Sequence, residues 1–214
     1  MRVGVLGSGD VGQTLAAGFL KHGHEAMIGT REPARLAAWH KANPKAKVGS
    51  VSETAAFGEV IVLAVKGSAA ADVLRAADQA NLAGKVVIDA SNPIADAPPD
   101  HGVLKFFTTL DDSLLERLQK EFKDARLVKA FNSVGAPQMV NPGYAGGIRP
   151  TMFLCGNDNA AKRTVSEILD QFGWDTADMG TVEAARAIEP LCMLWCILGF
   201  TKNEWTHAFK LLRK

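Results

Sequence analysis

A doubly wound α/β fold, built on a mostly parallel sheet, is predicted by three observations. Short apolar runs recur along the chain: Arg2–Leu6, Val60–Val65, a run opening at Val86–Ile88, and Arg126–Phe131. Segments whose apolar residues fall at helical spacing alternate with them. The runs also lack the period-two polarity of a sheet with one wet face. Each strand must therefore be covered on both sides, as helices cover a parallel sheet.

In order, Arg2–Leu6 ends at Gly7, and Asp10–His22 follows with Val11, Leu15, Phe19 and Leu20 on one helical face. Gly23-His24 breaks that helix, and Glu25–Thr30 reads as a second strand, which completes a βαβ unit of about thirty residues. Glu32-Pro33 has the chemistry of a helix start. After the Val60–Val65 strand, Ser68–Ala80 predicts an alanine-rich helix. Pro93, Pro98 and Pro99 mark a loop, and Asp111–Phe122 an amphipathic helix with an acidic first turn. Asn132–Pro150 holds four glycines and three prolines, the composition of a long functional loop.

Thr151–Cys155, Ala160–Phe172 and Asp175–Met179 then add strand, helix and strand. Glu183–Phe200 has helical character, but Pro190 removes an amide donor and is expected to kink or divide it. The tail to Lys214 reads as a second short helix. The expected organisation is a dinucleotide-type domain over residues 1–180 and a helical extension over 181–214, packed on the same domain or on a second subunit. That extension is too short for a large helical substrate domain.

The 214 residues are 47% hydrophobic and 22% charged, ordinary values for a globular domain, and the formal net charge is +1. No basic field exists to hold nucleic acid or an anionic membrane, so small-molecule partners are expected. The longest apolar stretch, Leu191–Phe200, is far short of the roughly 18 residues a membrane span requires. Met1-Arg2 runs straight into a strand without a signal-peptide pattern. Cys155, Cys192 and Cys196 are odd in number and lack metal-ligand spacing. A cytoplasmic protein with free thiols and no metal site is the expectation.

Gly7-Ser8-Gly9-Asp10-Val11-Gly12 fits G-x-G-x-x-G between a predicted strand and a predicted helix, the context in which the pattern marks a Rossmann dinucleotide site. Gly7 permits the tight turn, Gly9 lets a diphosphate approach the backbone, and Gly12 lets helix and strand pack closely. The helix N-terminus then offers free amides and positive potential to the phosphates. A site for NAD usually has a carboxylate at the end of the second strand, whereas here that strand ends Ile28-Gly29-Thr30-Arg31. A hydroxyl and a guanidinium suit the 2'-phosphate of NADP(H). Glu32 stands at a spacing that would also serve a ribose, but Thr30-Arg31 holds the strand end and is preferred. Arg35, one helical turn beyond Arg31, either assists or is a solvated surface arginine.

The glycine loop, IGTREP, LAVKG, VIDASNP, KAFNS, FLCGNDNAAK and ARAIEPLCMLW occur in this order. With them the chain resembles, over nearly its whole length, the NADPH-dependent deazaflavin (coenzyme F-420) reductase family. The resemblance implies that Thr30 and Arg31 read the 2'-phosphate. It also implies that Val65 and Lys66, then Ala90, Ser91 and Asn92, neighbour the cofactor, and the rule that ligands bind beyond the carboxyl ends of parallel strands indicates the same loops. Asn132, Ser133 and Val134 would border the hydride acceptor, with an ordinary strand-ending turn as the plain alternative. It further implies coenzyme F-420 as co-substrate and a homodimer, for which the apolar carboxyl-terminal helix is the expected contact. Transfer of hydride between stacked planar rings depends mainly on positioning. No residue is assigned as general acid, general base or metal ligand. A flavin, quinone or ferric-chelate reductase, and an NADP(H)-binding sensor without turnover, are the alternatives.

Overall fold

The computed structural model describes residues 1–214. Strands β1 (Arg2–Leu6), β2 (Glu25–Gly29), β3 (Lys47–Gly49), β4 (Val60–Leu63), β5 (Val86–Asp89) and β6 (Arg126–Lys129) form one sheet in the order β3-β2-β1-β4-β5-β6. Every pairing in it is parallel. A separate parallel pair, β7 (Thr151–Leu154) and β8 (Asp175–Asp178), meets the end of β6 through one antiparallel bridge, in which Lys129 N–H donates to the Cys155 carbonyl at 3.0 Å. The predicted fold class is the one observed.

Alternation along each strand explains the apolar runs. Val3, Val5, Val62, Ile88 and Val128 enter one core, with Leu15 and Phe19 of helix α1 (Asp10–Lys21) and Val165, Ile168 and Leu169 of helix α7 (Asn159–Gln171). Leu6, Ile61, Leu63, Val87 and Leu127 enter the opposite core, with Leu74 of α4 (Ala70–Ala76) and Leu115 and Leu118 of α6 (Leu114–Glu121). Both faces are dry, so neither strand register tolerates a polar side chain at mid-strand.

Several elements depart from the sequence-based expectation. Residues between Pro33 and Val60 hold a 3-10 turn (Pro33–Leu36), α2 (Ala37–Ala42), the edge strand β3 and α3 (Val51–Phe57), which short length and mixed composition concealed. Ser50 caps α3 in a capping box with Glu53. The helix expected over Ser68–Ala80 divides into α4 and the four-residue α5 (Gln79–Leu82), because Asp78 takes a positive φ of 71° and its side chain accepts from Ala80 N–H. α6 starts at Leu114 rather than Asp111, since Ser113 caps it.

The carboxyl terminus shows the largest correction. Pro190 neither divides nor ends α8 (Ala185–Lys202), which runs as one helix. Tertiary contacts of the turn just before Pro190 hold it: the Glu189 side chain is buried among charged and backbone partners, and Arg186 makes a two-pronged pair with Glu116 of α6. With the turn before it, Val182–Lys202 is long and apolar enough to span a membrane by length and composition. Ile188, Glu189, Cys192, Trp195 and Cys196 of it are buried against the rest of the chain.

The tail after Asn203 holds neither helix nor strand, in place of the expected second short helix. Its Phe209 carbonyl accepts from Thr151 N–H at 2.8 Å, His207 stacks on Trp195, and Trp205 covers Gly199. A Cβ at Gly199 would stand 2.2 Å from the Trp205 ring. Gly199→Ala is therefore expected to release residues 203–214, seen as faster proteolysis of the tail while the remainder still unfolds cooperatively.

Candidate functional site

The sheet order reverses between β1 and β4, and the crevice at that switch point is where an α/β sheet binds ligands. At the carboxyl end of β1 the chain turns at Gly7, whose φ of +129° is open to glycine and strained for other residues. The turn is locked by Gly7 N–H donating to Gly29 O at 3.1 Å. Gly9 is the N-cap of α1, and a Cβ built on it meets nothing within 4 Å. At Gly12 a Cβ would lie 2.1 Å from the Gly7 carbonyl. The three glycines thus have three separate physical reasons: backbone conformation, open space over a helix N-terminus, and close packing.

A cavity of about 1260 Å³ lies over this turn. Gly7, Ser8, Gly9, Asp10 and Val11 form its floor, Thr30, Arg31 and Arg35 one end, Val65 and Lys66 the middle, and Ala90, Ser91 and Asn92 the other end. Of the expected cofactor positions only Gly12 is absent from the lining, since it packs behind Gly7. Residues Ile94–Pro98 add a wall that sequence reasoning missed. They belong to a loop folded back on itself, with Ala95 N–H donating to Lys105 O and Phe107 N–H to Pro93 O.

At the β2 end, Thr30 is nearly buried, and its hydroxyl lies 3.1 Å from Ser8 Oγ and accepts from Glu32 N–H at 3.1 Å. These bonds fix the strand end beside the glycine loop. Glu32 turns to Arg35, with Nε to Oε2 at 2.7 Å. Both side chains are more than half exposed, so this pair contributes little to stability, but it engages the one carboxylate that spacing made a candidate for the ribose. Arg31 is exposed on the cavity and makes no ion pair within the chain.

At the opposite end, Asp89 closes β5, and its Oδ1 accepts from Ser91 N–H at 2.9 Å and Ser91 Oγ at 2.5 Å. A Cβ on Gly67 would stand 2.0 Å from the Asn92 carbonyl, so the loops after β4 and β5 touch through their backbones. Asn132, Ser133 and Val134 are buried and lie outside the cavity lining, behind Asn92. Asn92 Nδ2 donates to the Asn132 carbonyl at 2.8 Å, and Asn132 Nδ2 donates back to Asn92 Oδ1 at 3.1 Å.

Reasoning from sequence also missed a cluster of buried charge. Lys129, Asp89 and Glu189 have at most 1% exposure, with Lys129 Nζ 2.6 Å from Asp89 Oδ2 and 3.0 Å from Glu189 Oε1. Burial alone would depress the lysine pKa, but the two carboxylates outweigh it, and the net shift is upward. The signal was present: Asp89, Lys129 and Glu189 each interrupt an otherwise apolar run. The histidines lie elsewhere, and no group of three metal-ligating side chains is placed to hold an ion. Cys155, Cys192 and Cys196 are free and buried, and burial pushes the Cys155 thiol up to about 12.

Residues 2–93 match the family described as NADP oxidoreductase, coenzyme F420-dependent. The solved structure of a candidate F420-dependent NADP-reductase from Arthrobacter sp. FB24 is 35% identical, covers 100% of both chains and superposes with a TM-score of 0.93. Metalloreductase STEAP3 of Rattus norvegicus is 33% identical over 190 residues, which are 89% of this chain and 36% of that protein. The chain thus spans about a third of the length of the curated relatives it matches. An imine reductase from Streptomyces aurantiacus, 19% identical with a TM-score of 0.67 over 94% of this chain and 62% of the other, shares the fold. Full-length agreement with the Arthrobacter protein, together with the match of residues 2–93, establishes that the chain belongs to the coenzyme F420-dependent NADP oxidoreductase family.

Proposed function

We propose that the cavity binds NADP(H) along its length and that the chain exchanges hydride between the nicotinamide and a planar redox acceptor, a deazaflavin of the coenzyme F-420 type. The observation that carries this reading is the β2 end: Arg31 faces the cavity without an acidic partner while Glu32 is held by Arg35. There Thr30 and Arg31 would hold the 2'-phosphate through charge-assisted hydrogen bonds, with Arg35 able to join if it exchanges Glu32 for phosphate. The backbone amides of Gly9, Asp10 and Val11 would hold the diphosphate, and the empty space over Gly9 is the cradle that a Cβ would fill. Val65, Lys66, Ala90, Ser91 and Asn92 would line the ribose and nicotinamide. When bound, the dinucleotide supplies or accepts the hydride, and the protein's part is orientation and exclusion of water.

Asn132, Ser133 and Val134 would act on the acceptor side indirectly, through Asn92. Residues 1–180 would form the dinucleotide-binding domain and 181–214 its helical extension. Exposed Leu194 and Phe200 on α8 fit a contact with a second copy of the chain, in a cytoplasmic homodimer. The 33% identity to a metalloreductase supports a second reading, in which the acceptor is a flavin or ferric chelate.

Titration with NADPH and NADH tests the reading. Arg31→Ala is expected to weaken NADPH by roughly 1.5–3 kcal/mol while leaving NADH nearly unchanged. Equal or tighter NADH binding, indifferent to the substitution, would refute it and return Glu32 to the ribose. Turnover with coenzyme F-420, flavin and ferric chelate as acceptors then separates the two enzyme readings, and NADPH binding without turnover on any of them would favour a sensor.

A further inference from the structure

Two consecutive residues of α8 reach two consecutive residues of the cavity wall, each through one buried relay. Glu189 Oε1 holds Lys129 Nζ at 3.0 Å, and the same ammonium donates to the Ser91 carbonyl at 2.9 Å. One residue earlier, the Ile188 carbonyl accepts from Asn132 Nδ2 at 2.9 Å, and that same amide donates to Asn92 Oδ1. The ammonium thus donates its hydrogen bond to Ser91 O and stands in ion-pair contact with Asp89 Oδ2 and Glu189 Oε1. The Glu189 carboxylate also accepts from Leu114 N–H and Leu115 N–H, each at 3.0 Å, at the start of α6. Four elements therefore converge on one buried ammonium: β5 with its following loop, β6, α6 and α8.

A buried ion cluster contributes little to stability that well-packed apolar residues of the same volume would not. What it adds is direction, because an ammonium held between two carboxylates fixes where the carbonyl that accepts its hydrogen bond must stand. Here one of those acceptors is the backbone of the loop that the proposed reading sets against the nicotinamide. We propose that Lys129 and Asn132 are positioning residues for hydride transfer, which set the Ser91-Asn92 loop in register with helix α8 through Glu189 and Ile188. This inference rests on the assignment of the cavity to NADP(H). Its physical consequence is local: the phosphate end of the site, about Gly9 and Arg31, is built on other strands and is untouched by the relay. Loosening the relay should spare cofactor affinity and disturb the nicotinamide end, where a displacement of about 1 Å can cost on the order of a hundredfold in rate.

The experiment compares Glu189→Gln with Arg186→Gln in the full chain. The second removes the surface pair between α8 and α6 without entering the relay. Calorimetry reads NADPH affinity, and direct excitation of the nicotinamide reads the emission and anisotropy of bound NADPH. For Glu189→Gln, affinity should stay within about threefold of the parent, because the phosphate contacts remain. The bound-state emission and anisotropy should fall toward those of free NADPH, and turnover with coenzyme F-420 or ferric chelate should drop at least about tenfold at little change in KM. Arg186→Gln should lower thermal stability and leave the nicotinamide signal intact. Unchanged nicotinamide emission in Glu189→Gln, or an equal loss in both variants, overturns the proposal and reduces the cluster to a structural role. If Glu189→Gln does not fold, Asn132→Ser cuts the second relay and must give the same separation of signal from affinity. The parent protein distinguishes the two levels of failure: no NADPH binding there refutes the cavity assignment itself, and the inference with it.

Discussion

Gly7→Ala is expected to unfold the protein or leave it with about 3–5 kcal/mol less stability, and Gly9→Ala to leave it folded but unable to hold NADPH tightly. The two substitutions add the same methyl group two residues apart, and the surroundings decide the outcome. At Gly7 the methyl must tolerate a φ of +129° and would also stand 2.1 Å from the carbonyl of Ala64, the residue just past β4, whose N–H is hydrogen-bonded to Leu6 of β1. At Gly9 the backbone is extended, with φ −78° and ψ −177°, and the methyl meets no protein atom. Only the cost of a poorer N-cap remains, at most about 1 kcal/mol. The methyl would, however, occupy the space over the first amides of α1, where the diphosphate is proposed to lie. NADPH binding should therefore weaken by more than about tenfold. Urea unfolding and calorimetric titration of both variants check this, and NADPH binding to Gly9→Ala at parental affinity would move the diphosphate elsewhere.

Lys129→Met should be the most destabilising change outside the glycine turn. It leaves Asp89 and Glu189 facing one another in a site with at most 1% exposure, and breaking a buried ion pair by removing one partner costs about 3–5 kcal/mol. Urea unfolding of parent and variant near neutral pH reads the deficit, and a loss of less than about 1 kcal/mol would show that the two carboxylates find other partners once the ammonium is gone.

In the parent protein Lys129 itself carries a pH dependence of definite sign. Its folded pKa is raised above the ordinary 10.5, so its contribution is present in full below that value and is lost only as pH climbs through the higher folded value. The Lys129 contribution should thus be insensitive to pH near neutrality.

Local chemistry explains what was legible in the chain. Short, mostly apolar runs announced β1, β4, β5 and β6, since a strand covered on both faces has little room for a polar side chain at its middle. The glycine spacing announced the turn at Gly7–Gly12, and Thr30-Arg31 was identifiable because its distance from that turn is set by one βαβ unit. Where the chain held neither pattern, reading failed. β3 is a three-residue edge strand with mixed composition, and Pro33–Phe57 therefore showed no period to read.

At Pro190 the reading failed for the opposite reason. The local rule was sound, but Glu189, Arg186 and Ile188 are each held by residues far away in sequence, and those contacts outweigh one missing helical hydrogen bond. The irregular tail is similar: its Phe209 and His207 meet Thr151 and Trp195, partners that no local propensity encodes.

By itself the sequence determined strands β1, β2, β4, β5 and β6, the glycine turn and the arginine at the second strand end, because doubly covered strands read as apolar runs and the turn and arginine share one βαβ unit of about thirty residues. Only the tertiary structure decided that Glu32 is engaged by Arg35, that the Ile94–Pro98 loop walls the cavity, and that Asp89, Lys129 and Glu189 meet. In the last case three charges separated by forty and sixty residues are each unfavourable to bury alone. They become tolerable only once the fold has brought them within hydrogen-bonding distance.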